Sequence, residues 1–289
     1  MRTQPLCDAL GVEVSGLDLS RPLTPAEQDE LRAAYRRHRL LLFRGQAVAV
    51  EDHVRMVRCL GPVREDDNGI GYVSNVRPGG FVPEGRLFFH SDFAFTAEPC
   101  LGISLYALDV PAGCPTVWAN AARAAAVLAP DVRAAVTGAD ALHLFDLRLQ
   151  RGDVRYREDE LPDDRLAPRW IHPVLMRHPD TGEEVLYVSQ MQTDRVLGAD
   201  RSLLECLLET LYDDSNTYAH DWSVGDIVVW DNVALQHARP VPPPAAPRTL
   251  HRVAIGERTI FDLVPEFAAY VAGRDGAGGQ ATRPADKGP

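Results

Sequence analysis

The sequence predicts an α+β protein that is mainly β, with a double-stranded β-helix core (a jelly roll, cupin-like) and flanking helices. Three observations lead there. Short apolar runs of strand length recur along the chain, bounded by Gly, Pro, Asn and Asp. Helical periodicity is confined to a few segments between those runs. The order of strands and helices is too irregular for a doubly wound sheet, and the chain has no GxGxxG turn.

The elements follow in order. Thr24-Pro25-Ala26-Glu27 has the signature of a helix start: Thr24 as N-cap, Pro25 in the first turn and Glu27 closing a capping box. Leu31, Ala34, Tyr35 and His38 continue that helix at its own period. Leu40-Leu41-Leu42-Phe43 reads as a buried strand stopped by Gly45. A second helix is expected from Val50 to Leu60, ended by Gly61-Pro62. Residues 64–86, rich in Gly, Pro, Asp and Asn, read as a loop crossed by one short strand near Gly71–Val76. Leu87 to Phe93 is an extended run, and Ile103–Leu108 is another strand. Asn120 is placed to cap an alanine-rich helix that Pro130 breaks. Val174–Met176 and Val185–Val188 flank Pro179-Asp180-Thr181-Gly182, a hairpin pattern. Leu203, Leu204, Leu207, Leu208 and Leu211 form one apolar helical stripe of ordinary core packing. Ile227–Trp230 is a buried strand, and Thr249–Ile255 is the last clear one. One domain is expected over residues 1–271. The charged stretch 147–168 is the candidate lid loop, and residues 272–289 form a tail of disordered composition.

Bulk properties narrow the function classes. With 289 residues, 45% hydrophobic and 25% charged, the chain is ordinary for a globular domain with a sizeable core. Its net charge of −11 argues against nucleic acid or an anionic membrane as a partner, but leaves a small-molecule substrate open. The five scattered cysteines form no CxxC pair, so neither a zinc ribbon nor a disulfide framework is expected. The N-terminus has no apolar signal core, and no stretch reaches transmembrane length. A cytoplasmic location is the expectation.

The chemistry-bearing pattern is His90-Ser91-Asp92, with His237 and Arg248 far downstream. Two imidazoles and one carboxylate are the protein ligand set of a mononuclear iron(II) site with open coordination positions. On a strand, residues i and i+2 share a face, so His90 and Asp92 are expected to reach one metal from one strand. An arginine eleven residues past His237 offers a fork that grips a carboxylate. Nine histidines are present, so a lone HxD would be weak. Thr116, 24 residues past Asp92, and Arg252, four past Arg248 on the same predicted strand face, strengthen the pattern.

In these positions the chain resembles the TauD/TfdA family of Fe(II)/2-oxoglutarate-dependent dioxygenases. The motif HxD, a Thr some two dozen residues on, a distal His and an Arg ten to a dozen residues further are all present. Further segments are similar to the family's: Gly11–Ser20, Leu42–Gln46, Gly113–Asn120, Val229–Asn232 and His251–Val253. The resemblance covers nearly the whole chain. It implies that His90, Asp92 and His237 hold iron, and that 2-oxoglutarate chelates the iron through its 1-carboxylate and keto group. It also implies that Arg248 and Thr116 take the 5-carboxylate, that O2 is the second cosubstrate, and that succinate and CO2 are released. The family's halogenating relatives give up the carboxylate ligand. Asp92 therefore favours hydroxylation, or a variant ending in desaturation, cleavage or oxidative decarboxylation. Arg252 matches an arginine that holds the sulfonate in taurine dioxygenase. About 13 Å of strand separates it from Arg248, which suits one arginine for each anion.

Arg86, Gln192, Tyr72 and Asn75 are the remaining candidate pocket residues, judged by position, and together they imply a polar pocket for an acid-bearing substrate. Phe89 stands where the family often has Trp, which keeps an aromatic wall without an indole N–H. Homodimers and homotetramers are common among relatives. Two other classes compete: a non-catalytic jelly-roll binding protein, and a zinc hydrolase using the same three ligands around a water. The first would tolerate loss of a ligand, and none is lost. The second has no need of Arg248 and Thr116.

Overall fold

The computed structural model describes residues 1–65, 69–77, 85–149, 151–241 and 246–276. Its strands are β1 (Arg2–Pro5), β2 (Val12–Ser15), β3 (Leu40–Phe43), β4 (Ile70–Ser74), β5 (Leu87–His90), β6 (Gly102–Asp109), β7 (Thr116–Asn120) and β8 (Asp140–Leu144). They continue with β9 (Arg169–Pro173), β10 (Leu175–Arg177), β11 (Glu184–Leu186), β12 (Thr193–Val196), β13 (Thr217–His220), β14 (Ile227–Asp231), β15 (Leu235–Arg239) and β16 (Thr249–Ile255). The helices are α1 (Pro25–His38), α2 (Val50–Arg58), α3 (Ala121–Val127), α4 (Pro130–Val136), α5 (Arg201–Leu211), α6 (Ile260–Leu263) and α7 (Pro265–Gly276). None is long and apolar enough to cross a membrane.

Two sheets frame the core. The larger runs β1-β2-β3-β14-β6-β16-β4, and the smaller runs β13-β7-β15-β5. Strand periodicity explains how the larger sheet is covered on both faces. Leu40, Leu42, Val228 and Trp230 point into the space between the sheets, where Trp230 meets Trp118 of β7 edge to face at 5.4 Å. Leu41, Phe43, Ile227 and Val229 point the other way, onto Leu31 of α1 and Met56 and Val57 of α2. That is why Leu40–Phe43 reads as a continuous apolar run: every residue in it is buried. The predicted capping box holds α1, with Thr24 accepting from the Glu27 amide and Glu27 accepting from the Thr24 amide. Asn120 caps α3, and Pro130 opens α4 as its first residue. The leucines of α5 pack with α3 in a third cluster.

One expectation changes. Strand β5 stops at His90, so Asp92 does not share a strand with it. Strand β16 is the last strand, as expected; α6 and α7 follow it, and residues 277–289 of the expected tail lie outside the described residues. The 147–168 stretch is anchored at several points. Leu147, Tyr156 and Ala167 are buried, Tyr156 donates its hydroxyl to the Arg151 carbonyl, and Arg165 pairs with Glu266 of α7.

Candidate active site

The two imidazoles meet through sheet register. Strands β5 and β15 are antiparallel neighbours, and His90 stands directly opposite His237. Cross-strand partners carry their side chains on one face, and here the ring centroids are 4.2 Å apart. His90 Nδ1 donates to the Phe88 carbonyl at 2.8 Å. A carbonyl only accepts, so in the neutral ring the lone pair is left on Nε2. Burial above all, and then the neighbouring His90, bring the His237 pKa down to about 3. Its ring is therefore neutral and offers a lone pair, as a metal ligand must.

Asp92 reaches the same point from a turn. Phe93, next in the chain, has a left-handed backbone with φ 65°, which reverses the chain straight after the carboxylate. Asn232, wholly buried, clamps that turn. Its Oδ1 accepts from the Asp92 amide at 3.2 Å, and its Nδ2 donates to the carbonyls of Asp92 (3.2 Å) and Cys100 (2.9 Å). Asp92 Oδ1 then lies 3.3 Å from His90 Nε2 and 3.9 Å from His237 Nε2, and one ligand atom from each residue falls within 4.8 Å of the others. Burial pushes the Asp92 carboxyl up. The adjacent His90 ring and the charge of Arg252 outweigh that, so it lies well below the usual carboxylate range. Two imidazole nitrogens and one carboxylate oxygen at this spacing fit a divalent transition metal.

The three residues open onto a cavity of about 410 Å³ that Thr116, Gln192, Tyr72, Arg248 and Arg252 also line. Arg248 is buried, and its Nε and Nη1 find no hydrogen-bond partner among the described residues. Burial holds its pKa below the ordinary arginine value, with the nearby Cys114 opposing. A buried guanidinium of this kind fits a carboxylate, and with the metal ligands it fits a chelating keto acid. Gln192 likewise turns an unpartnered Oε1 into a buried setting.

Other sequence-derived positions fall elsewhere. Arg252 lies on the cavity, but its Nη2 donates to Asp92 Oδ2 at 2.7 Å, so it braces the oxygen that faces away from the histidines. Asn75 stands off the cavity. It holds backbone, accepting from the Arg248 amide at 2.8 Å and donating to the Ala246 carbonyl at 2.9 Å. Arg86 is exposed, with its guanidinium 5.9 Å from the Phe88 ring. Phe89 stacks on Tyr212 at 4.2 Å on the far face of β5, because adjacent strand residues point oppositely.

The sequence reading missed Arg239, a buried cavity residue that donates to the Gly85 carbonyl at 2.8 Å. Burial, and then the charge of Arg248, bring its pKa down to about 10. The signal was available, since it follows His237 by two on a strand. Also missed was the apolar wall of Phe93, Phe95, Phe145, Leu147, Ile260 and Phe267, which makes the cavity far less polar than expected.

Comparison with known proteins gives the family. Residues 2–254 match the family described as "Taurine catabolism dioxygenase TauD, TfdA family". Pentalenolactone F synthase of Streptomyces avermitilis is 28% identical, over 88% of this chain and 92% of that protein. The (S)-phenoxypropionate/alpha-ketoglutarate-dioxygenase of Sphingobium herbicidovorans is also 28% identical, over 81% and 87%. Among solved structures, AAD-2 in complex with Mn(II) and N-oxalylglycine superimposes with a TM-score of 0.76 at 25% identity, covering 90% of this chain and 98% of that one. A taurine dioxygenase from Burkholderia xenovorans gives 0.71 at 27%, covering 88% and 90%. The chain belongs to the TauD/TfdA family and is an Fe(II)- and 2-oxoglutarate-dependent dioxygenase.

Proposed function

We propose that this dioxygenase oxidises a C–H bond of a small carboxylic acid with an apolar body. His90, Asp92 and His237 hold the ferrous ion, and Arg248 with Thr116 takes the distal carboxylate of 2-oxoglutarate. The observation that carries this reading is the pairing of His90 with His237 across β5 and β15 beside Asp92, in one cavity with Arg248, whose Nε and Nη1 find no partner among the described residues. When bound, the iron supplies O2 activation coupled to oxidative decarboxylation of 2-oxoglutarate to succinate and CO2.

The chain's own residues do the rest. Arg252 fixes the Asp92 carboxylate so that Oδ1 faces both imidazoles. Arg248 anchors the cosubstrate by a charge-assisted fork. Phe93, Phe95, Phe145, Leu147, Ile260 and Phe267 exclude water and take the substrate's body. Arg252, Arg239 and Arg151 also line the cavity and are the candidate cations for its acid. The relative named for (S)-phenoxypropionate acts on an acid of this shape, which supports the reading. Residues 147–168 cover the cavity through Leu147, Arg151 and Gly152, and we assign them the role of a lid. The five free thiols suit a reducing cytoplasm.

The test is succinate release by iron-loaded protein given 2-oxoglutarate and O2. Slow release without a second substrate is expected. It should be abolished by His237→Ala and raised more by aryloxyalkanoic acids than by taurine. No succinate from the iron-loaded protein would overturn the reading, and a preference for taurine would overturn the apolar-bodied acid.

A further inference from the structure

We infer that Trp222 is a positioning residue for the cosubstrate, acting through Thr116. The inference rests on the reading that Thr116 and Arg248 receive the 2-oxoglutarate carboxylate. The indole Nε1 of Trp222 donates to Thr116 Oγ1 at 3.0 Å, and both residues are 6% exposed. Thr116 lines the cavity and Trp222 does not, so the indole acts at one remove.

The direction of this bond decides what the hydroxyl can do. An indole N–H only donates, whereas a threonine hydroxyl has one proton and two lone pairs. Trp222 therefore occupies an acceptor position on Oγ1. The hydroxyl proton is left to point elsewhere, and among the described residues Thr116 Oγ1 donates to nothing. A carboxylate oxygen in the cavity is the acceptor it lacks. With Trp222 in place, Thr116 is a fixed donor before the cosubstrate arrives. Without it, the hydroxyl is free to turn, and ordering it opposes binding.

The fold holds the indole in position. Strand β13 pairs with β7 so that His220 stands opposite Thr116, and Trp222 follows two residues later. The next turn is pinned by the buried Asp226, whose Oδ2 accepts from the Ser223 amide at 3.0 Å and from Arg44 Nη1 at 2.9 Å. The same oxygen lies 3.1 Å from His220 Nε2. The Trp222 ring packs on His220 at 4.8 Å.

The experiment is a double-mutant cycle on equilibrium binding of 2-oxoglutarate to Mn(II)-loaded protein, measured by calorimetry under argon, where no turnover occurs. Trp222→Phe is expected to weaken binding about fivefold and Thr116→Val roughly tenfold. The double variant should also be weakened only roughly tenfold, because an indole with no hydroxyl to orient has no effect. Equal affinity for Trp222→Phe and wild type would overturn the inference. So would losses that multiply in the double variant, the mark of a structural role.

If wild type binds no 2-oxoglutarate, or Arg248→Ala binds it as well as wild type does, the reading of the carboxylate site fails instead. A second readout does not depend on how Trp222→Phe folds. The chain has four tryptophans, and the assigned indole N–H resonance of Trp222 should shift in the near-isosteric Thr116→Val protein. A resonance that stays in place would overturn the inference.

Discussion

Arg248 sets the strongest expectation at the scale of single residues. Its Nε and Nη1 are buried and unpartnered among the described residues, so an incoming carboxylate gains charge-assisted bonds without displacing a protein partner. Arg248→Ala should raise the 2-oxoglutarate KM roughly tenfold to a hundredfold, read by succinate release at saturating iron. Arg248→Lys should recover only part of the loss, because an ammonium lacks the planar fork. A KM that Arg248→Ala leaves unchanged would assign the carboxylate to another cation, with Arg239 the first to test. Asn232 carries a second prediction. It clamps the Asp92 turn from both sides, so Asn232→Ala should lower metal affinity about tenfold or more in a metal titration. Unaltered affinity would mean that the turn holds its shape alone. Residue spacing made His90, Asp92, His237, Thr116 and Arg248 legible in the sequence. It did not show that Asp92 sits in a turn, because that depends on the Phe93 backbone and on an asparagine 140 positions away. Trp222 was equally hidden: only the pairing of β13 with β7 brings it to Thr116.

Among the elements, the β5–β15 ladder and the C-terminal helices divide the work. The ladder fixes the metal geometry, since a one-residue slip would turn His237 to the opposite face. Strands β3, β6, β14 and β16 were readable from apolar runs and turn residues. Helices α6 and α7 were not, because α6 is four residues long and Pro265 follows close behind it. Yet Ile260 and Phe267 close one wall of the cavity, and Val264 joins them in a cluster with Phe95 and Leu147. Phe267→Ala should cost roughly 3 kcal/mol of stability in urea unfolding and shift succinate release toward bulkier acids. Wild-type preferences in a destabilised variant would mean that the substrate never touches this wall. The Arg165–Glu266 pair ties the 147–168 segment to α7. As a lid, that segment should gain amide-exchange protection when an aryloxyalkanoic acid and 2-oxoglutarate bind together, and unchanged exchange would remove the role.

Over the whole molecule, an acidic chain of net charge −11 encloses a cavity lined by arginines, a contrast that composition alone could not reveal. Buried histidines also set the pH response. Burial brings His143 down to about 3 and His251 to about 4, and holds His53 well below its ordinary value of 6.5. As pH falls through about 6.5, the unfolded chain protonates these rings while the folded chain does not. Their contribution to stability is complete above that pH. It is lost on acidification at about 1.4 kcal/mol per pH unit for each ring that only the unfolded chain protonates. His178 runs the other way. Burial lowers its pKa, the hydrogen bond to Asp231 more than compensates, and the stability it gives is lost as pH rises through that raised value. The metal-free protein should therefore show a urea midpoint that falls steeply between pH 6.5 and 4, and a flat midpoint would contradict these assignments.

The most direct test of the central claim is a crystal structure of the protein with Mn(II) and N-oxalylglycine. The metal is expected between His90 Nε2, Asp92 Oδ1 and His237 Nε2, with the distal carboxylate of N-oxalylglycine on Arg248 and Thr116. A metal bound elsewhere, or a carboxylate seated on Arg239 or Arg252 with Arg248 untouched, would contradict it.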